Sequence, residues 1–354
     1  QPKLLFILPY PVGKAPSQRF RVEQFLPFLD EGQISYRLAP FMTSDTWQVL
    51  YKGNKPLQKV WGIFKGYLKR IRTLIIDVPK ADIIFVHREG APLGPPVFEW
   101  LIAKLYRKKI VFDFDDAIWI APTTQNILLK TLRAYWKTRS LCKWSYKVVG
   151  GNDYLCNYAK KYNDHVIKIP TCVDTINVHN TLKDQDTDKV IIGWTGSHST
   201  MPYLDLFMPV YRRLYKQYDI EFVIISNQAP VYNDPGIRFI KWQEATEVKD
   251  LLNINIGIMP LTNDPWSEGK SGFKLIQYMA LGIPAVASPV GVNSIIVEDT
   301  INGFLCNTEE EWFSAIVKLI NNATLRTKMG EEGRKKIQAE YCIHANKNKF
   351  IELF

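Results

Sequence analysis

Residues 266–288 hold the densest grouping of side chains able to do chemistry, reading Trp-Ser-Glu-Gly-Lys-Ser-Gly-Phe-Lys-Leu-Ile-Gln-Tyr-Met-Ala-Leu-Gly-Ile-Pro-Ala-Val-Ala-Ser. A small-residue loop, Gly269-Lys270-Ser271-Gly272, precedes a helical pattern that puts Phe273, Ile276, Met279 and Ala280 on one face. Gly282 suits a left-handed turn closing that helix, Pro284 blocks its continuation, and residues 285–287 read as a short buried strand. Such an order makes an anion site. The unpaired N–H groups and the positive end of the helix dipole point out at the loop, where Lys270 and Lys274 add charge. The plain alternative is an ordinary strand–helix unit with two solvated lysines.

Three other groupings invite chemistry. His87 ends an apolar run at the position where an open α/β sheet exposes functional groups, followed by Arg88 and Glu89, although a lone histidine also serves as a satisfied structural residue. The run Asp113-Phe-Asp115-Asp116 contains an Asp-x-Asp pair, a pattern whose oxygens suit Mg²⁺ or Mn²⁺ but which is common by chance. Asp115 and Asp116 are read here as polar cleft residues without a metal. Thr195-Gly196-Ser197 fits either a capped strand-to-helix turn or a ligand contact. Asn227 and Trp242 end neighbouring strands at the same rim, while Gly13 and Lys14 form a flexible loop after the first strand, with Arg19 on the next helix.

The elements that must position these residues alternate along the chain. Apolar runs at 3–8, 33–38, 82–86, 109–112, 147–149 and 165–169 read as strands. A second set follows at 190–194, 221–225, 237–240, 254–259, 285–287 and 303–305. Helical patterns lie between them, including 17–30, 46–75, 126–144 and 202–217. Continuous apolar strands separated by helices predict parallel sheets covered on both faces. The expected fold is α/β: two Rossmann-like, doubly wound parallel-sheet domains facing a cleft. Expected boundaries are 1–175, a polar linker at 176–188, and 189–340, with 341–354 a candidate to cross back to the first domain.

At 354 residues the chain can bury two cores. No apolar run reaches the length of a membrane span, the start reads as a strand and not a signal peptide, and five scattered cysteines fit a reducing cytoplasm. The charge of +10 is lopsided: residues 1–180 hold 27 of the 45 Lys and Arg but only 14 of the 35 Asp and Glu. Two basic segments, 51–80 and 121–152, interleave cations with aromatics such as Tyr51, Trp61, Phe64, Trp136 and Trp144. They resemble interfacial helices on anionic lipid, the alternative being solvated faces whose aromatics fill the core.

Beyond these readings, the second half resembles the donor-binding domain of a group 1 glycosyltransferase, the retaining family 4 with the GT-B architecture. The resemblance rests on Ile192-Gly-Trp-Thr-Gly-Ser197, residues 272–288, Asn302-Gly-Phe-Leu305 and Met329-Gly-Glu-Glu-Gly-Arg334. The first half is similar to the acceptor domain more loosely, through Arg19-Phe-Arg21, Val86-His-Arg-Glu89 and residues 112–119. The resemblance implies a hexosyltransferase-type enzyme, metal-independent and retaining, that takes a nucleotide-sugar donor and a saccharide or lipid-linked acceptor in cell-surface polysaccharide synthesis. It further implies a cytoplasmic location, peripheral to the inner face of the membrane, with no cofactor and no nucleic acid partner. Donor contacts would come from Gly13, Lys14, Arg19, Thr195, Gly196, Ser197, Asn227, Trp242, Lys270, Ser271, Gly272, Phe273 and Gln277. His87, Asp115, Asp116 and Lys274 would act at the reacting sugar and phosphate. The chain departs from the family's Glu-x7-Glu pattern, with Gln277 at the second position and Gly269 at the first, so a sugar-binding carboxylate would be Glu268 or Asp264. The rival readings are a sugar-nucleotide epimerase on the same fold and a basic nucleic-acid-binding protein.

Overall fold

The computed structural model describes residues 1–50, 55–122 and 125–354, so Tyr51 and Lys52 of the first basic segment lie outside the described residues. The chain forms two units, 1–171 with 346–354, and 172–345. Residues 176–188, expected as a linker, fall within the second unit in this division. The physical reason is Gln185, which is buried and bonded to Asn255 and to the Arg326 guanidinium.

The first unit contains β1 (Leu4–Leu8), β2 (Tyr36–Pro40), β3 (Ile83–His87), β4 (Lys109–Phe114), β5 (Lys147–Gly150) and β6 (Val166–Lys168). They form one parallel sheet in the order β2-β1-β3-β4-β5-β6. Every residue of β1 and β3 is buried, as a sheet covered on both faces requires. The order reverses at β1, with β2 on one side and β3 on the other. The connections leaving β1 and β3 therefore diverge at their carboxyl ends.

Three expected single helices of this unit are broken, 46–75 among them, since Ser44–Leu50 and Pro56–Arg72 are separate helices. Residues 17–30 divide into helices Pro16–Arg21 and Leu26–Glu31, with Pro27 opening the second, where its missing N–H costs nothing. Residues 126–144 divide into helices Ile127–Arg133 and Lys137–Trp144, because Ala134 adopts a left-handed φ of 50°.

In the second unit, β7 (Val190–Gly196), β8 (Ile220–Ser226), β9 (Ile237–Lys241), β10 (Ile256–Met259), β11 (Ala285–Ala287) and β12 (Gly303–Leu305) form a parallel sheet. Its order is β12-β11-β10-β7-β8-β9, which reverses at β7 between β8 and β10. The helix Phe273–Ala280 departs from its expected single apolar face. Past the first turn, Leu275 to Ala280 are all buried. Its Tyr278 ring packs where β10 has Gly257, and a Cβ there would lie 2.3 Å from the ring. Gly282 closes the helix at φ 68°, as expected. Among the described residues no helix is long and apolar enough to cross a membrane.

The C-terminal helix Ile343–Ile351 runs from the second unit into the first. There Phe350 is buried and stacks on Phe25, ring centroids 4.5 Å apart and nearly parallel. Replacing Phe350 by Ala removes a fully packed aromatic and should destabilise the first unit by about 3–5 kcal/mol in urea unfolding. An unchanged midpoint would mean that the tail contributes nothing to that core.

Candidate functional site

The reversal at β7 brings the loops after β7 and β10 side by side, and the second unit's candidate residues collect there. The Thr195 amide donates to Tyr278 Oη at 2.9 Å, tying the end of β7 to the Phe273–Ala280 helix. Gly196 follows. A Cβ on it would lie 2.6 Å from the Trp194 ring and 2.9 Å from Lys274 Cε, so the lysine stem occupies the space a side chain would fill. The Lys274 ammonium sits 5.4 Å from the centre of the Trp194 ring, and that of Lys270 sits 4.6 Å from the Trp266 ring. An indole face positions an ammonium and leaves its formal charge intact.

Gly272 caps the helix in a left-handed conformation, φ 67°, with Ser271 before it and Phe273 after, both half-buried. Two polar atoms beside this helix lack a partner: Gln277 Nε2 and Asn293 Oδ1, both on buried residues. The latter lies 3.8 Å from where a Gly272 Cβ would be. A buried polar atom left unpaired costs about 1–3 kcal/mol. Both are thus places where a bound polar molecule would recover energy.

Around this rim, Asn227 Oδ1 accepts from the His198 amide at 2.8 Å, and Ser197 Oγ lies 2.8 Å from Ser199 Oγ. Trp242 turns away, its Nε1 donating to Glu247 at 3.0 Å. Asp264 is occupied as the cap of the short helix Pro265–Glu268, accepting from the Trp266 and Ser267 amides. Burial alone would raise its pKa, but hydrogen bonds from Thr262 and Ser267 outweigh that and hold it low. Glu268, at the end of that helix, is the half-exposed carboxylate nearest in sequence to the loop.

The first unit's candidates form a different arrangement at the ends of β1, β3 and β4. His87 is fully buried, not exposed at the strand end. Its Nδ1 is 2.7 Å from Asp113 Oδ2 and its Nε2 is 2.9 Å from Ser17 Oγ. A carboxylate only accepts, so Nδ1 carries the proton. The Arg21 guanidinium pairs with the same carboxylate in the interior. Arg88, left-handed at φ 58°, bonds Asp115 and Asp116 at 2.7 Å each.

Burial opposes ionisation of both Asp113 and Asp115, yet Arg21 beside the first and Arg88 beside the second hold each carboxyl below its usual range. Ser17, half-buried at the start of the Pro16–Arg21 helix, also bonds Asp115. With Arg88 and Asp116, it is where the network nears the surface. The Gly13 amide is held by Glu23 at 2.8 Å, with φ 75°, Lys14 is exposed beside it, and Arg19 lies along the Phe20 ring. Ser17, Arg21, Arg88 and Asp113 were not singled out as site residues from sequence. Arg21 and Asp113 are 92 residues apart, and only the Arg-Phe-Arg and Asp-rich motifs hinted at them.

Residues 189–322 match the family Glycosyl transferases group 1. No curated protein matches the chain. Solved structures match over its whole length. Sucrose-phosphate synthase from Thermosynechococcus elongatus is 12% identical with a TM-score of 0.72, covering 100% of this chain and 98% of that one. HepE from Anabaena, solved with UDP and glucose, is 11% identical at 0.68, covering 100% and 99%. The catalytic domain of starch synthase IV from Arabidopsis thaliana, bound to ADP and acarbose, is 12% identical at 0.67, covering 99% and 98%. At such identities the likeness is one of fold, and the fold is GT-B. Most of the second unit thus carries the domain of the group 1 glycosyl transferases.

The Arg88 cluster gives a pH dependence. Asp115 ionises more readily folded than unfolded, so its stabilisation is complete above the unfolded value of about 4 and fades as pH falls below it. Wild type should lose thermal stability steeply from pH 4 towards 2. Arg88→Ala, lacking the cation, should be less stable at pH 7 and fall more gently. Parallel curves would mean that Arg88 does not set the ionisation of Asp115.

Proposed function

We propose that the chain transfers a hexose from a nucleotide-diphosphate sugar to a saccharide or lipid-linked acceptor, with retention of anomeric configuration and without a metal or other cofactor. The observation that carries this reading is the convergence of Lys274, Gly196 and the start of the Phe273–Ala280 helix at the strand reversal of the second unit. Main-chain N–H groups at a helix start with an ammonium nearby suit a pyrophosphate. The nucleotides held by HepE and starch synthase IV accord with such a donor. Departure of the nucleoside diphosphate is the demanding step. Preorganised amides with Lys270 and Lys274 would stabilise the charge that grows on the leaving phosphate.

The other assignments take their places around that step. Gln277 Nε2, buried and lacking a partner, is a donor for a ribose hydroxyl, while Ser197 and Asn227 line the opposite side of the rim. Glu268 is the carboxylate we assign to the sugar. In the first unit, Asp115 and Asp116 are engaged by Arg88, so their role is polar steering of the acceptor and not metal binding. His87 steers through Ser17. We place the enzyme at the cytoplasmic face of a membrane, in cell-surface polysaccharide synthesis, with its basic first unit against anionic lipid.

A thermal-shift panel of UDP-, GDP-, dTDP- and ADP-sugars tests the donor site. One diphosphate should stabilise the wild type, and Lys274→Ala should bind it roughly ten- to a hundredfold more weakly, as expected for a lost charge-assisted hydrogen bond. Equal shifts in the two proteins would remove Lys274 from the site, and no shift with any donor would overturn the reading.

A further inference from the structure

The helix Pro56–Arg72 is mounted inside out. Leu57, Val60, Trp61, Phe64, Leu68 and Ile71 recur every three or four residues, the spacing of an apolar helical face that ordinarily seeks a core. All six are exposed, Leu57 at 83% and Trp61 at 55%. The face turned inward is Gly62, Gly66 and Arg70. A Cβ on Gly62 would lie 2.5 Å from Thr46 Cγ2, and one on Gly66 would lie 2.4 Å from the Phe41 ring. Arg70 is buried to 2% exposure and donates to the Gly90, Ala39 and Leu8 carbonyls at 2.8, 2.9 and 3.1 Å. Those three bonds and two close approaches set the helix's rotation, so the bulky stripe has no core to enter.

A second exposed apolar group lies on a neighbouring helix, Ile127–Arg133, with Ile127, Leu128 and Leu132. One loop joins the two: Tyr67 Oη donates to the Leu93 carbonyl at 2.5 Å, and the Gly94 amide donates to the Leu132 carbonyl at 2.6 Å. Between residues 55 and 76 there are six Lys and Arg and no Asp or Glu. Lys65 holds its ammonium 5.5 Å from the Trp61 ring, at the margin of the stripe.

We propose that this face inserts into the headgroup region of an anionic bilayer, with Trp61, Phe64 and Leu68 as its apolar anchors and the flanking lysines on lipid phosphates. Large apolar side chains margined by cations alone fit an interfacial helix. A second copy fits poorly, because pairing the stripe with itself would bring the same cations together with no counter-charge on the helix. The proposal rests on the membrane reading given above but not on the donor site.

The test is co-sedimentation of the full chain with phosphatidylcholine vesicles, with and without phosphatidylglycerol, for wild type and Trp61→Ser/Phe64→Ser. Wild type should pellet with the anionic vesicles and little with the neutral ones. The double variant should bind at least about tenfold more weakly. Its melting temperature and its shift with nucleotide-sugar should stay those of wild type, since both side chains are exposed and in the other unit from Lys274. Failure of wild type to bind, or equal binding by the variant, overturns the proposal while leaving the donor reading intact. So does a dimer in sedimentation velocity that the double substitution abolishes.

Discussion

Gly196 has no side chain, and the stem of Lys274 lies where one would be. The candidate donor site depends on that substitution of one residue's space for another's. β7 must end beside the first turn of the Phe273–Ala280 helix for the lysine to cross it, and the Thr195–Tyr278 hydrogen bond holds the two together. The strand order supplies the rest. Because the sheet reverses at β7, the loops after β7 and β10 lie side by side, and the helix Phe273–Ala280 begins beyond the second of them. An extra methyl at 196 would displace Trp194, Lys274 or both. Cation–π contact then keeps the ammonium in place at no loss of charge.

The edge of the first unit obeys a different electrostatic logic. Its three aspartates, 113, 115 and 116, are matched by the guanidiniums of Arg21 and Arg88, with His87 between the two groups. Buried charges persist only when paired and hydrogen-bonded, and this cluster meets that condition. Charge there is spent on rigidity. Ser17, Arg88 and Asp116 are the half-buried members of the cluster, and His87 lies beneath them. The left-handed Arg88 backbone at the strand end is the local strain that aims one guanidinium at two carboxylates.

Each of the twelve strands overlaps an expected apolar run, β2 with a shift towards 36–40; the inner strands are the plainest, because a strand buried on both faces needs an unbroken apolar stretch, whereas the edge strands β2, β6 and β9 are only partly buried. Helix breaks were less legible. Pro27 announces one, but nothing local in Ala134 announces a left-handed residue. In the site, the glycine-rich loop and Lys274 were legible as a helix start with charge. The burial of Gln277, the commitment of Asp264 to a cap and of Trp242 to Glu247, and the Arg21–Asp113 pair were not. Each depends on which side chain arrives from elsewhere in the chain, information that residue type and spacing do not contain.

The Pro56–Arg72 helix marks where pattern reading stops for a physical reason. Periodicity establishes that a helix has an apolar face; it does not say which face the protein turns inward. Two interior glycines each cost a helix about 1 kcal/mol relative to alanine, so their presence in a helix of 17 residues needs a return. That return is close approach: Thr46 and Phe41 occupy the positions of the missing methyl groups, and Arg70 reaches three carbonyls beyond them. Rotating the helix to bury Trp61 and Phe64 would leave the Arg70 guanidinium and those carbonyls to find other partners. The polar anchor decides the orientation, and the apolar stripe follows.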